Sequence, residues 1–350
     1  MSILVLGDLY YGYDHVTEDI LKMSEYIKKN NLSVVLNLEG AITNNRSFQI
    51  KKRGEHLAQN PITLEVLKLL NVKGVSICNN HIFDFGPQGL KDTISVLEKN
   101  GIKYCGAGMT EKEAKAPMFI EDGDTTYEFY GASDPFEESV CIKGNGYGCL
   151  NIKNLSNLEN KHSSNIKRVA FLHTGFEYNT LPSPRTINEC RGFIDNGFDY
   201  VICSHPHITQ PYEHYNNGDI YYSLGNFYFS TDREEFQNKK IYGEKDGFCN
   251  IGLGVIINNE KSHCIGIAYD PDNQTSYFDE SISARIFEYD EKNKEYKKAY
   301  MARRNNHNPM LTGSKSSDGI RMFFLDFVYK VYGILKKAGL AEKIKNIISR

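Results

Sequence analysis

Short apolar runs alternate with amphipathic helical patterns along the first 105 residues. Ile3–Leu6, Val34–Leu38, Val75–Cys78 and Ile102–Cys105 read as buried strands. Between them, Val16–Lys29 has apolar residues at 16, 20, 23 and 27, close to helical spacing. Pro61 opens a second helix, with Ile62, Val66, Leu69 and Leu70 on one face. Pro87 opens a third, with Leu90, Ile94 and Leu97 inward and Gly101 as its stop. Strands regularly separated by helices imply an α/β sheet with helices on its faces. Met118–Glu121 and Tyr127–Ala132 then predict a hairpin around Asp122-Gly123-Asp124. Residues 135–165 are polar and lack periodicity, which predicts a long surface insertion. Alternation resumes with a strand at Val169–Leu172, a helix near 184–196 and a strand at Tyr200–Cys203. Further strands are expected at Ile220–Leu224, Ile251–Ile257, Cys264–Ala268 and Ala284–Glu288. The expected architecture is a two-sheet α/β sandwich.

Composition narrows the function classes. The 350 residues carry 41 basic and 44 acidic side chains, a formal charge of −3, which offers no global attraction to nucleic acid. The N-terminal apolar run is four residues long with no basic flank, so it reads as a strand and not as a signal peptide. No run of about 18 apolar residues is present to cross a membrane. The eight cysteines, at 78, 105, 141, 149, 190, 203, 249 and 264, form no Cys-x-x-Cys and lie partly within strand-like runs. Buried free thiols in a reducing cytoplasm are expected. The expected domains are residues 1–290 and a helical C-terminal extension, 291–350. Apolar residues at 320, 323, 324, 327, 328, 331, 334 and 335 form a helical stripe in that extension, and 320–350 carries a net charge of +5. Such a helix can cover a sheet edge, lie on an anionic membrane surface or dock a synthase partner.

The polar residues that follow the strands are the chemically informative ones. Asp8 follows the first strand, Glu39 the second, and Asn80 with His81 the third. His173 follows Phe171-Leu172, and His205 and His207 follow Ile202-Cys203-Ser204. Open α/β sheets bind ligands at such strand ends. Taken singly, each residue has an ordinary role: Asp8 as a helix cap, Glu39 and Asn80 in turns, and His173 or His207 as hydrogen-bonded core groups. Together they would be costly to desolvate in one crevice unless a cation compensates them. Carboxylate, imidazole and amide oxygen suit Mn, Fe, Zn or Mg better than a thiolate site does. In His205-Pro206-His207, an extended backbone would send both imidazoles to the same side. Lys51-Lys52-Arg53 reads as a solvated charge run, with contact to an anionic substrate as the alternative. Lys239-Lys240 reads as surface, and Gly144–Gly148 as a loop without the helix or lysine of a phosphate cradle.

These strings resemble the capsule-biosynthesis protein CapA family, named for poly-γ-glutamate synthesis and related to calcineurin-like metallophosphoesterases. The matching residues are Gly7-Asp8; Asn37-Leu38-Glu39; Asn79-Asn80-His81 with Asp84, Gly86 and Gly89-Leu90; and His173-Thr174-Gly175-Phe176-Glu177-Tyr178. Ser204-His205-Pro206-His207, with Gln210, Glu213, Gly218, Ile220 and Tyr222–Phe227, is the strongest match, and the resemblance covers roughly residues 3–270. It implies a four-layer α/β/β/α sandwich with one or two divalent ions at the strand ends. Glu39 would take the bridging position; Asn80, His173 and His205 would join it on one ion, Asp8 and His207 on the other. His81, backed by Asp84, would touch the leaving group, and Glu177, Arg53 and Asn226 would contact substrate. The phosphoesterases usually carry Asp-x-His at the first motif, where this chain has Asp8-Leu9-Tyr10, so one imidazole ligand is missing.

The implied function is a metal-dependent hydrolase or transferase in capsule or exopolymer synthesis or remodelling. Its partners would be an anionic polymer or a phosphorylated substrate, with no nucleic acid. The alternatives are a non-catalytic assembly subunit docked through residues 320–350 at the inner membrane face, and an intracellular phosphoesterase acting on a small metabolite. A cytoplasmic location, peripheral at the inner membrane face if the tail docks, is expected.

Overall fold

The computed structural model describes residues 2–52, 55–134, 148–155, 165–230, 251–258, 262–270, 273, 275–287, 290 and 292–307. Chain contacts divide it into a unit of residues 1–303 and a unit of residues 304–350. In chain order the strands of the first unit are β1 (Ser2–Tyr10), β2 (Leu32–Leu38), β3 (Ala41–Ile42), β4 (Ala58–Gln59), β5 (Val72–Ser76), β6 (Lys103–Cys105), β7 (Ala107–Gly108), β8 (Met118–Asp122) and β9 (Thr125–Ser133). They continue with β10 (Gly148–Cys149), β11 (Ile166–His173), β12 (Tyr200–Ser204), β13 (Tyr212–Tyr215), β14 (Gly218–Tyr221), β15 (Asn226–Phe229), β16 (Ile251–Ile257), β17 (His263–Asp270) and β18 (Thr275–Asp279). The helices are α1 (Glu18–Lys29), α2 (Thr63–Leu69), α3 (Gly86–Lys99), α4 (Glu111–Lys115), α5 (Ile152–Leu155), α6 (Pro184–Asp195) and α7 (Lys294–His307).

Two mixed sheets dominate. The first has the order β18-β17-β16-β1-β2-β5-β6, with β15 paired to the end of β1. Strands β1, β2, β5 and β6 run parallel, whereas β16 pairs antiparallel with β1, and β17 and β18 follow as an antiparallel meander. The second sheet has the order β13-β14-β12-β11-β9-β8, parallel from β9 through β14 and closed by antiparallel β8 and β13. All of the β1, β2, β5, β11 and β12 chains therefore deliver their C-terminal residues in the direction that α/β sheets use for ligands.

The period-2 alternation of the strands explains how both faces are buried. Along β1, Leu4 and Leu6 join a hydrophobic cluster with Ile20, Met23 and Ile27 of α1, while Ile3 and Val5 join a different cluster. That second cluster contains residues of both sheets: Val35, Val255 and Ile257 from the first, and Ile120, Phe129, Val169, Phe171 and Ile202 from the second. Along β11, Ala170 and Leu172 turn the other way, into a third cluster with Ile187, Cys190 and Phe193 of α6. Strands buried on both sides need near-continuous apolar sequence, as β1, β11 and β12 have. Tyr296 and Tyr300 of α7 belong to the third cluster too, and Tyr296 donates its hydroxyl to the Pro182 carbonyl.

Several expectations need adjustment. Pro61 does not begin α2, whose first residue is Thr63. The hydroxyl-free turn at 60–62 instead closes through the Thr63 N–H on the Asn60 carbonyl, 2.9 Å. Of the strand expected at 284–288, residues 284–287 form none, Ile286 making only an isolated bridge to Tyr212, and Glu288 lies outside the described residues. The polar edge strands β13 and β18 lack an apolar run and go unmarked in the sequence; their pairing comes from sheet edges already built. Of the 135–165 insertion, Gly148–Cys149 pairs with β7 and Ile152–Leu155 is helical, and Leu150, Ile152 and Leu155 are buried in the third cluster and not on the surface; residues 135–147 and 156–164 lie outside the described residues. Lys239-Lys240 and the 320–350 stripe lie outside them as well. Cys78, Cys105, Cys149, Cys190, Cys203 and Cys264 are free thiols. Among the described residues no helix is long and apolar enough to cross a membrane.

Two glycines test this architecture in opposite directions. A Cβ on Gly7 would stand 2.0 Å from the Gly225 carbonyl oxygen, a backbone atom that cannot yield without moving a strand. Gly7→Ala is expected to cost at least about 2 kcal/mol. A Cβ on Gly192, within α6, meets nothing within 4 Å. Gly192→Ala should stabilise by roughly 0.5–1 kcal/mol through helix propensity. Urea unfolding of both variants measures the contrast.

Candidate metal centre

Asp8 reaches its place through an irregularity in β1. The β1–β2 register shifts between Leu6 and Asp8, so Gly7 is the extra residue of a bulge. A bulge re-aims the next side chain, and here it sets Asp8 opposite both Asn37 of β2 and Asn226 of β15. Asp8 is fully buried. Its Oδ1 accepts from Asn37 Nδ2 at 2.8 Å and its Oδ2 from the His205 backbone N–H at 3.1 Å. Burial still pushes its carboxyl above the ordinary value, against the lowering effect of His207 and of these hydrogen bonds.

Glu39 directly follows β2 and is also fully buried. Its own N–H donates to the Leu9 carbonyl at 3.0 Å, and Gly40 behind it takes φ +88°, a conformation only glycine holds without strain. Glu39 Oε1 is 4.0 Å from His207 Nε2 and 4.0 Å from His81 Nε2. Both separations exceed hydrogen-bond length and suit groups that share a third partner. Asp8, Glu39 and His207 each present one ligand atom, and the three atoms lie within 4.8 Å of one another.

The second sheet supplies the imidazoles. His173 is the last residue of β11 and 1% exposed. Its Nε2 meets Asn80 Oδ1 at 2.9 Å and its Nδ1 meets Ser204 Oγ at 3.2 Å. The His205 ring lies 4.8 Å from the His173 ring and 6.1 Å from the His207 ring. Desolvation, then the neighbouring imidazoles, lower His173 and His205 well below the ordinary histidine value. Both are therefore neutral near pH 7, the form that ligates metal.

The His205-Pro206-His207 segment is not extended, which corrects the alternating geometry expected of it. His205 has φ +102° and His207 φ +57°. Proline normally keeps the preceding residue extended with negative φ, so His205 is strained, and its N–H bond to Asp8 helps to hold it. The two rings converge because the chain turns twice, not because i and i+2 share a strand face. His207 Nδ1 donates to Asn226 Oδ1 at 2.9 Å. Asn226 thus orients a histidine, where substrate contact had been expected.

His81 and Asp84 lie beside this cluster. His81 Nδ1 is 2.7 Å from Asp84 Oδ2, and Asp84 is fully buried. Lys52 is the clearest departure from the sequence reading: its side chain is 6% exposed and pairs with Asp84 Oδ1 at 2.6 Å. It is neither a solvated charge nor free to meet substrate. Lys51 is exposed, as is Glu177 in the loop after His173, and Arg53 lies outside the described residues. Tyr10, at the position where an imidazole would stand, packs its ring 5.4 Å from Phe229, which in turn lies edge-on to His207 at 5.0 Å.

Three positioning residues have no role legible in the sequence; Asn37 and Asn79 occur there only as members of the matched strings, and Gln59 in none. Gln59, fully buried, accepts from the Tyr11 N–H at 2.9 Å and donates to the Leu9 and Glu39 carbonyls at 2.8 and 2.7 Å. It ties together the chain just beyond Asp8 and Glu39. Asn79 Nδ2 donates to the Leu38 carbonyl at 2.9 Å, while its Oδ1 accepts from Gly40 and His81 N–H. Asn37 links Asn79 to Asp8. Only their placement beside strand ends could have suggested them.

The donor set fits a divalent cation. Two fully buried carboxylates, the imidazoles of His173, His205 and His207 and an amide oxygen converge on one rim; two of those imidazoles are held neutral, and burial raises Asp8 in spite of His207, so the carboxylates are short of compensating charge.

The bacterial capsule synthesis protein PGA_cap family matches residues 6–231. The chain belongs to that family. It is 29% identical over 229 residues to the capsule biosynthesis protein CapA of Bacillus anthracis, covering 63% of this chain and 54% of that one. It is 30% identical over 243 residues to the PGA biosynthesis protein CapA of Bacillus subtilis, covering 65% and 63%. A probable polyglutamine synthesis accessory protein of Mycobacterium tuberculosis is 27% identical over 206 residues, 55% of this chain and 54% of that one. The chain thus spans between half and two thirds of the length of these curated relatives. Every residue of the donor set lies within the matched segment.

Two measurements probe the centre without metal. Gln59→Leu removes the side-chain partner of the buried Tyr11 N–H and of the Glu39 carbonyl, and one of two partners of the Leu9 carbonyl, and should cost about 2–3 kcal/mol in urea unfolding. The second is pH dependence. Unfolded histidine titrates near 6.5, and folded His173 and His205 titrate well below it. As pH falls below 6.5 the unfolded state binds protons that the folded state refuses, so stability is lost by up to about 1.4 kcal/mol per pH unit per histidine. Asp8, raised, acts in the opposite sense by taking its proton first in the folded state. Comparing wild type with His173→Gln/His205→Gln between pH 7.5 and 5.5 isolates the histidines: the double variant should show the flatter profile.

Proposed function

We propose that this protein is a metal-dependent hydrolase or transferase acting in the synthesis or remodelling of a capsule-type anionic polymer, of which poly-γ-glutamate is the type. The observation that carries the reading is the convergence of Asp8, Glu39 and His207 within ligand distance of one another on a rim that also presents His173, His205 and Asn80. Membership of a capsule synthesis family supports the pathway assignment. The three hydrophobic clusters, one between the sheets and one on the outer face of each, support a four-layer α/β/β/α sandwich of the calcineurin-like phosphoesterase type. Residues 1–290 would form that catalytic domain and 291–350 its helical extension.

In this reading Glu39 stands between two groups of ligands. Asn80, His173 and His205 lie on one side, Asp8 and His207 on the other. The group bound there, one or two divalent ions, supplies Lewis acidity toward the reacting centre. The chain's own contribution is positional. Asn226 and Ser204 hold His207 and His173 by their Nδ1 edges, and Asn37 with the His205 N–H holds Asp8. His81 turns its Nε2 edge toward Glu39, where it can exchange a proton with a departing or attacking oxygen, and Asp84 fixes its ring. Exposed Glu177 is at most a peripheral substrate contact. The position of Tyr10 removes an imidazole from the Asp8 side and favours unequal ion affinities.

A non-catalytic role is the second reading, favoured by the accessory role in the name of the Mycobacterium relative. The two separate on metal and turnover. Elemental analysis of protein purified without chelator or histidine tag should give one or two transition-metal ions per chain. Asp8→Asn, Glu39→Gln and His205→Ala/His207→Ala should each lose them. Mn²⁺ at 100 times its dissociation constant should stabilise wild type by about 2.7 kcal/mol. Metal-loaded protein is then assayed on a γ-glutamyl oligomer and on a generic phosphodiester. Metal binding without turnover on either would favour the assembly role; absence of binding would overturn the metal-dependent reading.

A further inference from the structure

Lys52 belongs to a loop, and a loop lysine can keep its ammonium in water while its stem lies on the protein. This one does the opposite. Its side chain is 6% exposed, against an Asp84 side chain at 0%. Desolvating both charges is expensive and is repaid only by close geometry, which is present: Nζ to Asp84 Oδ1 is 2.6 Å. The other carboxylate oxygen, Oδ2, receives the Leu57 N–H at 2.7 Å and His81 Nδ1 at 2.7 Å. Nζ also lies 3.1 Å from His81 Nδ1.

These contacts restrict the hydrogen on the imidazole. An ionised carboxylate only accepts, and an ammonium only donates. The short contact between Oδ2 and Nδ1 therefore requires that Nδ1 carry a hydrogen. A nitrogen that donates cannot also accept from Lys52, so the ammonium packs against that ring edge as the counter-charge of Oδ1, an ion pair by proximity without hydrogen-bond alignment. Neutral His81 is left with a bare Nε2, and that edge is the one 4.0 Å from Glu39 Oε1.

We propose that Lys52 is a positioning residue of the candidate centre: by holding the Asp84 carboxylate in place, it fixes the Nδ1–H tautomer and the ring orientation of His81, so that the Nε2 lone pair faces the donor cluster. The functional consequence rests on the metal-dependent reading above; the structural claim does not. Removal of Lys52 leaves a buried carboxylate without its counter-charge, free to turn toward other donors. The His81 ring then loses its reason to prefer one tautomer.

Long-range ¹H–¹⁵N spectra of metal-free protein at pH 8 read the tautomer directly, with the His81 signals assigned by their absence in His81→Gln. Wild type should show a single Nδ1–H form. Lys52→Met should show mixed or Nε2–H signals, and Lys52→Arg, which keeps charge and donors, should restore the wild-type pattern. A folded Lys52→Met protein with unchanged His81 signals would overturn the proposal, as would Lys52→Arg behaving like Lys52→Met. If the methionine variant does not fold, Lys52→Gln is read against the same two outcomes. Mn²⁺ binding is measured separately, so failure of the metal reading leaves the tautomer result standing. Where turnover is found, Lys52→Met should lower kcat by about 10–100-fold with KM nearly unchanged.

Discussion

Two carboxylates with no exposure to water, Asp8 and Glu39, set the terms for everything around them. Their burial follows from position: each ends a parallel strand of the first sheet, at the rim where the second sheet brings its own strand ends. A charge in that place is expensive unless opposite charge and donors surround it. His207 and His81 lie nearest, 3.7–4.0 Å from these carboxylates, and His207 offsets part of the cost of burying Asp8. His173 and His205 are driven to the neutral form, and burial still raises the Asp8 carboxyl, so protein groups alone leave the rim short of positive charge. Lys52 does not make up the difference, because Asp84 already claims its ammonium. A divalent cation resolves the imbalance without further rearrangement.

Holding so many polar groups at one point requires backbone conformations that regular strands do not offer. The Gly7 bulge turns Asp8, and Gly40 at φ +88° releases the chain after Glu39. His205 and His207 adopt positive φ without being glycine, each at a cost on the order of 1–3 kcal/mol. That strain persists only where the surroundings over-determine it. Here the Asp8–His205 hydrogen bond, the Asn226–His207 hydrogen bond and the Tyr178 N–H on the Pro206 carbonyl at 2.8 Å do so. The same residues thus donate to the centre and hold the loop that presents it.

The parts legible in the sequence were those set by local period. Ile251–Ile257 is a strand with the bounds its apolar run suggests, and α1, α3 and α6 follow their helical stripes. Strand-end placement also pointed to the polar residues that the structure gathers at one rim, because a polar side chain directly after a buried strand has few other places to go. What could not be read was anything decided by long-range partners. Edge strands β13 and β18 are built on existing edges. Gln59, distant in sequence from both carboxylates, looks like any polar residue until three backbone groups are seen to converge on it. Lys52 sits in a run of three cations that composition assigns to solvent; only Asp84, 32 residues away, explains why one of them turns inward. The His-Pro-His geometry failed for a related reason: the extended conformation proline favours was overridden by the bond to Asp8.

The division between the two classes of polar group is itself informative. Lys52 and Asp84 form a charge-balanced pair whose contacts end on His81. Gln59, Asn79 and Asn37 are neutral and end on the carboxylate-bearing segments. If the rim served only to close the fold, neutral amides of this kind would suffice throughout, since they satisfy backbone groups without desolvating an ion. A buried ion pair is instead placed behind the one histidine that flanks the donor cluster. Its net charge of zero leaves the field at the rim to Asp8 and Glu39, while its geometry holds a ring. The fold therefore keeps the buried negative charge of Asp8 and Glu39 apart from the neutral ion pair that orients the imidazole beside them, an arrangement suited to the metal-dependent chemistry proposed above.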